Sequence, residues 1–384
     1  MQTGRKGRLS PAVGRARFET ARVLNEFLGP GSVAASGKPS QNREPLDAKP
    51  LFLVGCSGGP DSLALASVAA HFVRRQDARV GAVIVDHQLQ PGSAQVAETA
   101  ADRCRALGLD PVVVKTVIVD SAAGGPEMAA RTARYGAFAE AVAETGASGV
   151  LLAHTLDDQA ETVLLGLARG SGTRSLAGMA EVRRQGELTL IRPLLNLRRA
   201  DIEEICEAEE LEPWYDPTNA DESLMRARVR HTILPFLEEQ LGGDVATSLA
   251  RTAQILGPDS DYLDRQARQL VEDETFVISA NLALPAEVEG EQILVLDRAE
   301  IAALPEALRR RVLSLLVQRV GGHAASFERL AALDAFVREL AVAGPVQMSG
   351  HVSAWKMRPA GPLRKRGVLV LGATQSSKNM LLKR

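Results

Sequence analysis

Cysteine is scarce in this chain of 384 residues: Cys56, Cys104 and Cys206 are its only three, and none forms a CxxC pair. The spacing argues against a disulfide framework or a zinc knuckle and points to a reducing, cytoplasmic setting. Long apolar runs are missing too. No stretch approaches a membrane span, and the N-terminus lacks the apolar core of a signal peptide. Neither membrane insertion nor export is expected, and no internal repeat is visible. Acidic residues are absent from the first eighteen positions, where Arg5, Lys6, Arg8, Arg15 and Arg17 precede Glu19. One further absence is local. The glycine-rich stretch "CSGGPDS" at 56–62 contains no lysine, unlike an ordinary nucleotide-binding P-loop.

What is present describes a globular chain long enough for two or three domains, with 45% apolar and 24% charged residues. The net charge of −2 conceals basic clusters at 183–184, 198–199, 226–230, 309–311 and 364–366. Such stripes either bind a polyanion or are solvated helix faces. Residues 1–49 read as a basic extension and linker, with an amphipathic helix near Arg17–Leu28 as an option. The extension either adds RNA affinity or has no function of its own.

From Leu51, apolar runs at 51–55, 80–85, 112–119 and 149–153 alternate with helical patterns at 61–75, 93–107 and 127–145. Strands apolar throughout, with helices between them, predict an α/β domain built on a doubly wound parallel sheet. That domain is expected over 50–236. A smaller, mostly helical domain is expected over 237–373, with helices near 244–272 and 299–341, late strands at "GPVQMSG" and "GVLVLG", and a polar tail from 374.

The loop at 56–62 follows the first strand and opens the first helix of this domain, where open parallel sheets bind ligands. Gly58 and Gly59 allow backbone N–H groups to face an anion, and the helix adds its positive end. Ser57 and Ser62 supply hydroxyls. Asp61 helps to hold Mg²⁺, or else it is merely the helix N-cap. A second cluster lies on the helix beginning near Thr155. There Asp157, Asp158 and Glu161 share a face by their three- and four-residue spacings. They form an acidic pocket for an ammonium group or Mg²⁺, or they simply favour the helix dipole. His154 precedes them at a strand end. On the helix at 127–145, Glu127 and Arg131 are four apart with Arg134 beyond: a phosphate-binding fork or a surface salt bridge. Arg226 and Arg230 are also four apart, suited either to an RNA backbone or to a structural helix face. Trp214 and Tyr215 are available for base stacking or for packing.

"SGGPDS" resembles the signature of the N-type ATP pyrophosphatases. Together with "VDHQLQPGS", "EMAARTARY", "LLAHTLDDQAETVLLGLARGSG", "IRPLLNLRRADI" and "PWYDPTNADESLMRARVRHTILP", it is similar in type, order and spacing to the tRNA(Ile)-lysidine synthases. The likeness covers about 50–236 well, the C-terminal part loosely and 1–49 not at all. It implies a ligase that uses ATP and Mg²⁺ to join L-lysine to C2 of the wobble cytidine of a CAU-anticodon tRNA(Ile). An adenylated cytidine would be the intermediate, with AMP and pyrophosphate released and decoding changed from AUG to AUA. It implies ATP binding by Ser57, Gly58, Gly59, Pro60, Asp61 and Ser62, metal binding by Asp61, and catalysis by Asp61, Arg131, Asp158 and Glu161. His154, Asp157, Arg226 and Arg230 would contact substrate. Three positions depart from the pattern: Thr155 where a second histidine is common, Gln90 for a frequent arginine, and Ala227 for a frequent asparagine. Monomer and homodimer both stay open. The competing readings are a tRNA thiolase with the same loop and a non-catalytic ATP- or tRNA-binding protein.

Overall fold

The computed structural model describes residues 9–34, 45–119, 126–216, 221–279, 282–284, 288–339, 341–342, 344–359 and 367–374. Arg5, Lys6, Arg8, the cluster at 364–366, the side chain of Glu127 and the polar tail lie outside the described residues. The chain divides into two compact units, Met1–Gly257 and Pro258–Arg384. The expected boundary near 236 lies inside the first of these units.

The first unit is a six-stranded sheet of order β3-β2-β1-β4-β6-β5. Its strands are β1 (Leu51–Gly55), β2 (Arg79–Asp86), β3 (Val112–Thr116), β4 (Gly149–Leu151), β5 (Val182–Gln185) and β6 (Leu188–Ile191). The four anticipated runs pair in parallel. β6 joins them in parallel, and β5 is an antiparallel edge. Phe52, Leu53 and Val54 on the central strand are wholly buried, as burial on both faces requires. Gly81 lets the sheet close at β2, because a side chain there would meet Pro111 O at 2.3 Å. The chain runs outward from β1 through β2 to β3, then returns to place β4 on the other side of β1. The loop after β1 therefore lies at the switch point, where neighbouring connections diverge and leave a crevice.

Helices α1 (Pro11–Leu28), α2 (Pro60–Arg74), α3 (Ser93–Ala106), α4 (Pro126–Thr145), α5 (Leu156–Ala168), α6 (Thr173–Leu176) and α7 (Arg199–Ala208) flank this sheet. The short α8 (Met225–Arg228) leads through a π-helical turn, Val229–Ile233, into α9 (Leu234–Leu241) and then α10 (Val245–Glu272).

Within residues 1–49, α1 extends the helix anticipated near Arg17–Leu28 back to Pro11 and packs it into the domain. Ser10 caps it, and Ala12, Val13, Ala16, Ala21, Val23 and Leu24 enter the main core. Phe27 meets Phe52 edge-on at 6.1 Å. Ser10 Oγ donates to Glu204 at 2.6 Å and Arg17 pairs with Glu209 at 3.0 Å. Arg15 pairs with Asp201, and Arg22 with Glu181. Of the basic residues named in this extension, Arg15 and Arg17 thus hold a helix to its own domain. Burying a large aliphatic side chain contributes roughly 1.5–3 kcal/mol. Deleting residues 1–28 removes Val13, Val23 and Leu24 and is expected to cost roughly 5 kcal/mol or more. Circular dichroism melting checks this; an unchanged midpoint would contradict it.

The second unit packs α11 (Arg298–Ala303), α12 (Glu306–Arg319) and α13 (Phe327–Arg338) with a four-stranded antiparallel sheet of order β7-β10-β9-β8. Its strands are β7 (Val288–Asp297), β8 (Val346–Met348), β9 (Val352–Met357) and β10 (Val368–Thr374). Val312, Leu316, Leu333, Phe336, Leu369 and Leu371 lie in its core. Among the described residues no helix is long and apolar enough to cross a membrane.

Candidate active site

The loop after β1 is closed on itself by Ser62. Its hydroxyl accepts from Ser57 N at 3.1 Å and donates to Gly59 O at 3.0 Å, while the Ser57 and Ser62 hydroxyls stand 3.3 Å apart. Gly58 adopts φ +81°, a left-handed conformation that favours glycine, and a Cβ there would come within 3.2 Å of Ala100 Cβ. Trp214 N donates to Gly58 O at 2.9 Å, tying the loop to the segment after α7. Gly59 is the N-cap of α2, and Asp61 sits in the first helical turn. Asp61 is therefore not the cap.

A cleft of about 1000 Å³ opens over this loop. Ser57, Gly59, Pro60, Asp61 and Ser62 line it together with His154, Asp157, Asp158, Glu161, Arg226 and Arg230. Gly58 is not among the lining residues. Arg131 stands outside the lining, its guanidinium 4.8 Å from the Tyr135 ring centre.

The anticipated acidic pocket is laced with arginines. Asp158 forms a capping box with Thr155: its Oδ2 accepts from Thr155 N at 2.8 Å and Thr155 Oγ1 at 3.0 Å. Its Oδ1 accepts from Arg230 Nη2 at 2.9 Å. Arg230 Nε donates to Glu161 Oε1 at 2.6 Å, so the guanidinium of the π-helical turn spans both acids. The turn aims Arg230 at these two acids, in the cleft where a substrate contact was expected. Asp157 is also engaged, with Arg198 Nη2 at 3.2 Å and Arg199 N at 2.8 Å. Among the described residues, two buried carboxylate oxygens of the cleft have no hydrogen-bond partner: Asp61 Oδ1 and Glu161 Oε2.

These surroundings drive the acids apart. Burial raises the pKa of Glu161 despite Arg230, and burial likewise raises that of Asp61 against the opposing charge of Arg199. For Asp158, burial pushes upward, but the Thr155 N–H, His154 and the arginines outweigh it and the pKa falls. One acid held ionised beside one poised to take a proton is an acid–base arrangement. His154 is pushed down to about 4, by burial first and then by the charge of Arg192. It is neutral at pH 7.

Mg²⁺ usually takes one or two carboxylates and completes its shell with water and substrate phosphates. The unpartnered Asp61 Oδ1 beside the loop fits that pattern. Among the described residues no group of three or more His, Cys, Asp or Glu side chains forms a cage.

A model of the PP-loop domain matches residues 34–237. The tRNA(Ile)-lysidine synthase of Leifsonia xyli is 47% identical over 306 residues, covering 80% of this chain and 87% of that protein. The tRNA(Ile)-lysidine synthase of Streptomyces coelicolor is 42% identical over 353 residues, or 90% and 96% of the two chains. The chain belongs to the tRNA(Ile)-lysidine synthase family.

Within this lysidine synthase fold the three departures find local roles. Thr155 caps α5 and fixes Asp158, Gln90 Nε2 lies 3.4 Å from Asp216 Oδ1, and Ala227 is buried in α8. The sequence reading missed Arg198 and Arg199 as cleft residues, although "LNLRRADI" stood among the quoted motifs. His87 was missed as well; its side chain bonds at 3.2 Å at the cleft wall to that of Arg134, which had been placed in the phosphate-binding fork. A lone basic pair carries no sign of which acids it will face.

The His154 shift has a pH consequence. Between about 4 and 6.5 the unfolded chain binds a proton that folded His154 refuses, so stability rises with pH through that window. It is fully present above 6.5 and lost as pH falls towards 4. His71, also pushed down to about 4, contributes over the same range. His154→Gln is expected to flatten part of this slope in denaturant titrations at several pH values; an unaltered slope would contradict the assignment.

Proposed function

We propose that this chain ligates L-lysine to C2 of the wobble cytidine in a CAU-anticodon tRNA(Ile), with ATP as cosubstrate. The observation that carries the reading is the meeting of the glycine-rich loop and the Asp158–Glu161–Arg230 cluster in one cleft. In the first step the cytosine C2 oxygen attacks the α-phosphorus, and the bond to pyrophosphate breaks. In the second, the neutral ε-amine of lysine attacks C2, and AMP leaves with the former C2 oxygen. Adenylation matters because an oxide is a poor leaving group and a phosphate ester is a good one.

Residues 57–62 receive the pyrophosphate through backbone N–H groups, the Ser57 hydroxyl and the N-terminus of α2. Asp61 would hold Mg²⁺ with the phosphates, which neutralises charge there. Glu161, with its raised pKa and open Oε2, takes the ammonium proton. Asp158 stays ionised and fixes Arg230. Arg131 meets the adenylate by leaving the Tyr135 ring, and His154 and Arg226 face the base and its backbone. Asp157 holds the start of α7. The second unit reads the tRNA body, because the anticodon alone does not distinguish this substrate from the methionine tRNA. The thiolase reading has less support: Cys56, Cys104 and Cys206 are all buried and free.

Labelled lysine, ATP and Mg²⁺ supplied with unmodified isoleucine and methionine tRNA transcripts test this. Acid-stable label in the isoleucine tRNA alone is expected. AMP formation dependent on tRNA but without lysine transfer would keep adenylation and overturn the nucleophile.

A further inference from the structure

A loop without lysine still has to meet the charge of a departing pyrophosphate. Five arginines line the cleft among the described residues: Arg134, Arg198, Arg199, Arg226 and Arg230. Four are already engaged. Arg134 bonds His87, Arg198 bridges Asp157 and Asp244, Arg230 spans Asp158 and Glu161, and Arg226 also has an interaction partner.

Arg199 differs. Its guanidinium makes no hydrogen bond among the described residues. Asp61 Oδ2 lies 4.0 Å from its Nη1, and Asp158 Oδ1 lies 3.8 Å from its Nη2. That Nη2 is buried and has no hydrogen-bond partner. Leaving a buried charged N–H without an acceptor is costly, so the arrangement suits an acceptor that arrives with the substrate. The backbone is meanwhile fixed: Arg199 begins α7, and its N–H donates to Asp157 Oδ2 at 2.8 Å. Asp157 thus anchors the residue while Asp61 and Asp158 hold its guanidinium at ion-pair range beside the loop.

We propose that Arg199 is the pyrophosphate-binding cation of this site, supplying from α7 the positive charge that the loop itself lacks. The inference rests on the loop being the ATP site. A planar guanidinium presents two parallel N–H groups to phosphate oxygens, which an ammonium does not. Its long contacts to Asp61 and Asp158 leave those N–H groups available. When pyrophosphate departs, the two carboxylates again balance the arginine.

Calorimetric titration of the full chain with Mg²⁺-pyrophosphate, and separately with AMP, tests the assignment in wild type, Arg199→Ala and Arg199→Lys. Arg199→Ala is expected to weaken pyrophosphate binding by roughly 10- to 100-fold, while AMP affinity stays within about twofold. Arg199→Lys should recover only part of the loss. Unchanged pyrophosphate affinity would overturn the proposal. So would an equal loss for AMP, which would make Arg199 a general organiser of the acid cluster. Thermal melting accompanies each titration, and Arg199→Gln replaces the alanine variant if that one melts early. A wild-type chain that binds no pyrophosphate would bring down the loop reading itself, whatever the variants do.

Discussion

Exchanging Arg230 for methionine is expected to destabilise the first unit by about 3–5 kcal/mol and to abolish ligation. The side chain donates to Glu161, which is wholly buried, and to Asp158, which is nearly so. Methionine fills much of the same volume but strands both carboxylates. Uncompensated buried charge is the expensive outcome, more so than losing the pair altogether. The deficit has a pH signature. Burial already raises the Glu161 pKa, and without Arg230 it rises further. A folded pKa above the unfolded one gives stability at low pH that is lost as pH rises through the folded value. The variant should therefore trail wild type most near pH 8 and least near pH 5. Adding Glu161→Gln should recover part of the loss, because a neutral amide no longer needs the guanidinium. Denaturant titrations at both pH values decide the matter. Strictly additive losses for the two substitutions would contradict the coupling.

Asp61→Asn is expected to separate stability from activity. Burial raises the Asp61 pKa, so the ionised form at neutral pH is maintained against a folding cost. Asparagine removes that titration. The melting temperature at pH 7.5 should hold or rise. Pyrophosphate release that depends on tRNA should fall by roughly 100- to 1,000-fold, the scale on which a lost electrostatic group at a reacting centre is felt. A carboxylate kept where it costs stability is the pattern of a functional group rather than a structural one. A variant that is less stable yet fully active would contradict this role.

The catalytic fold was largely legible because β1, β2 and β4 are buried on both faces and read as unbroken apolar runs. β5 and β6 escaped notice. "VRRQGELTLI" opens with an exposed antiparallel edge, and its burial depends on β4 arriving beside it. α1 was underestimated for a related reason. Its partners Asp201, Glu204 and Glu209 lie nearly two hundred residues away, and linker-like residues follow it. In the second unit β7 and β9 were missed, so that the sheet was underestimated against the helices.

The site shows the same division. The glycines, serines and acids stood out because one helix or one loop sets their spacing. The pairing of those acids with arginines did not, although Arg230 itself had been singled out as a substrate contact. Arg198 and Arg199 come from the start of α7 and Arg230 from a π-helical turn, and tertiary structure alone brings them together. The anticipated acidic pocket is consequently a nearly balanced ion network. It retains two open carboxylate oxygens, Asp61 Oδ1 and Glu161 Oε2.

The central claim is that the cytosine C2 oxygen is the group adenylated in this cleft. A CAU-anticodon tRNA(Ile) carrying ¹⁸O at C2 of the wobble cytidine, incubated with ATP, Mg²⁺ and lysine, tests it through the mass of the AMP released. One ¹⁸O in each AMP, formed in step with lysine transfer, is the predicted result. Unlabelled AMP accompanying lysine transfer would mean that a different group is activated and would contradict the account.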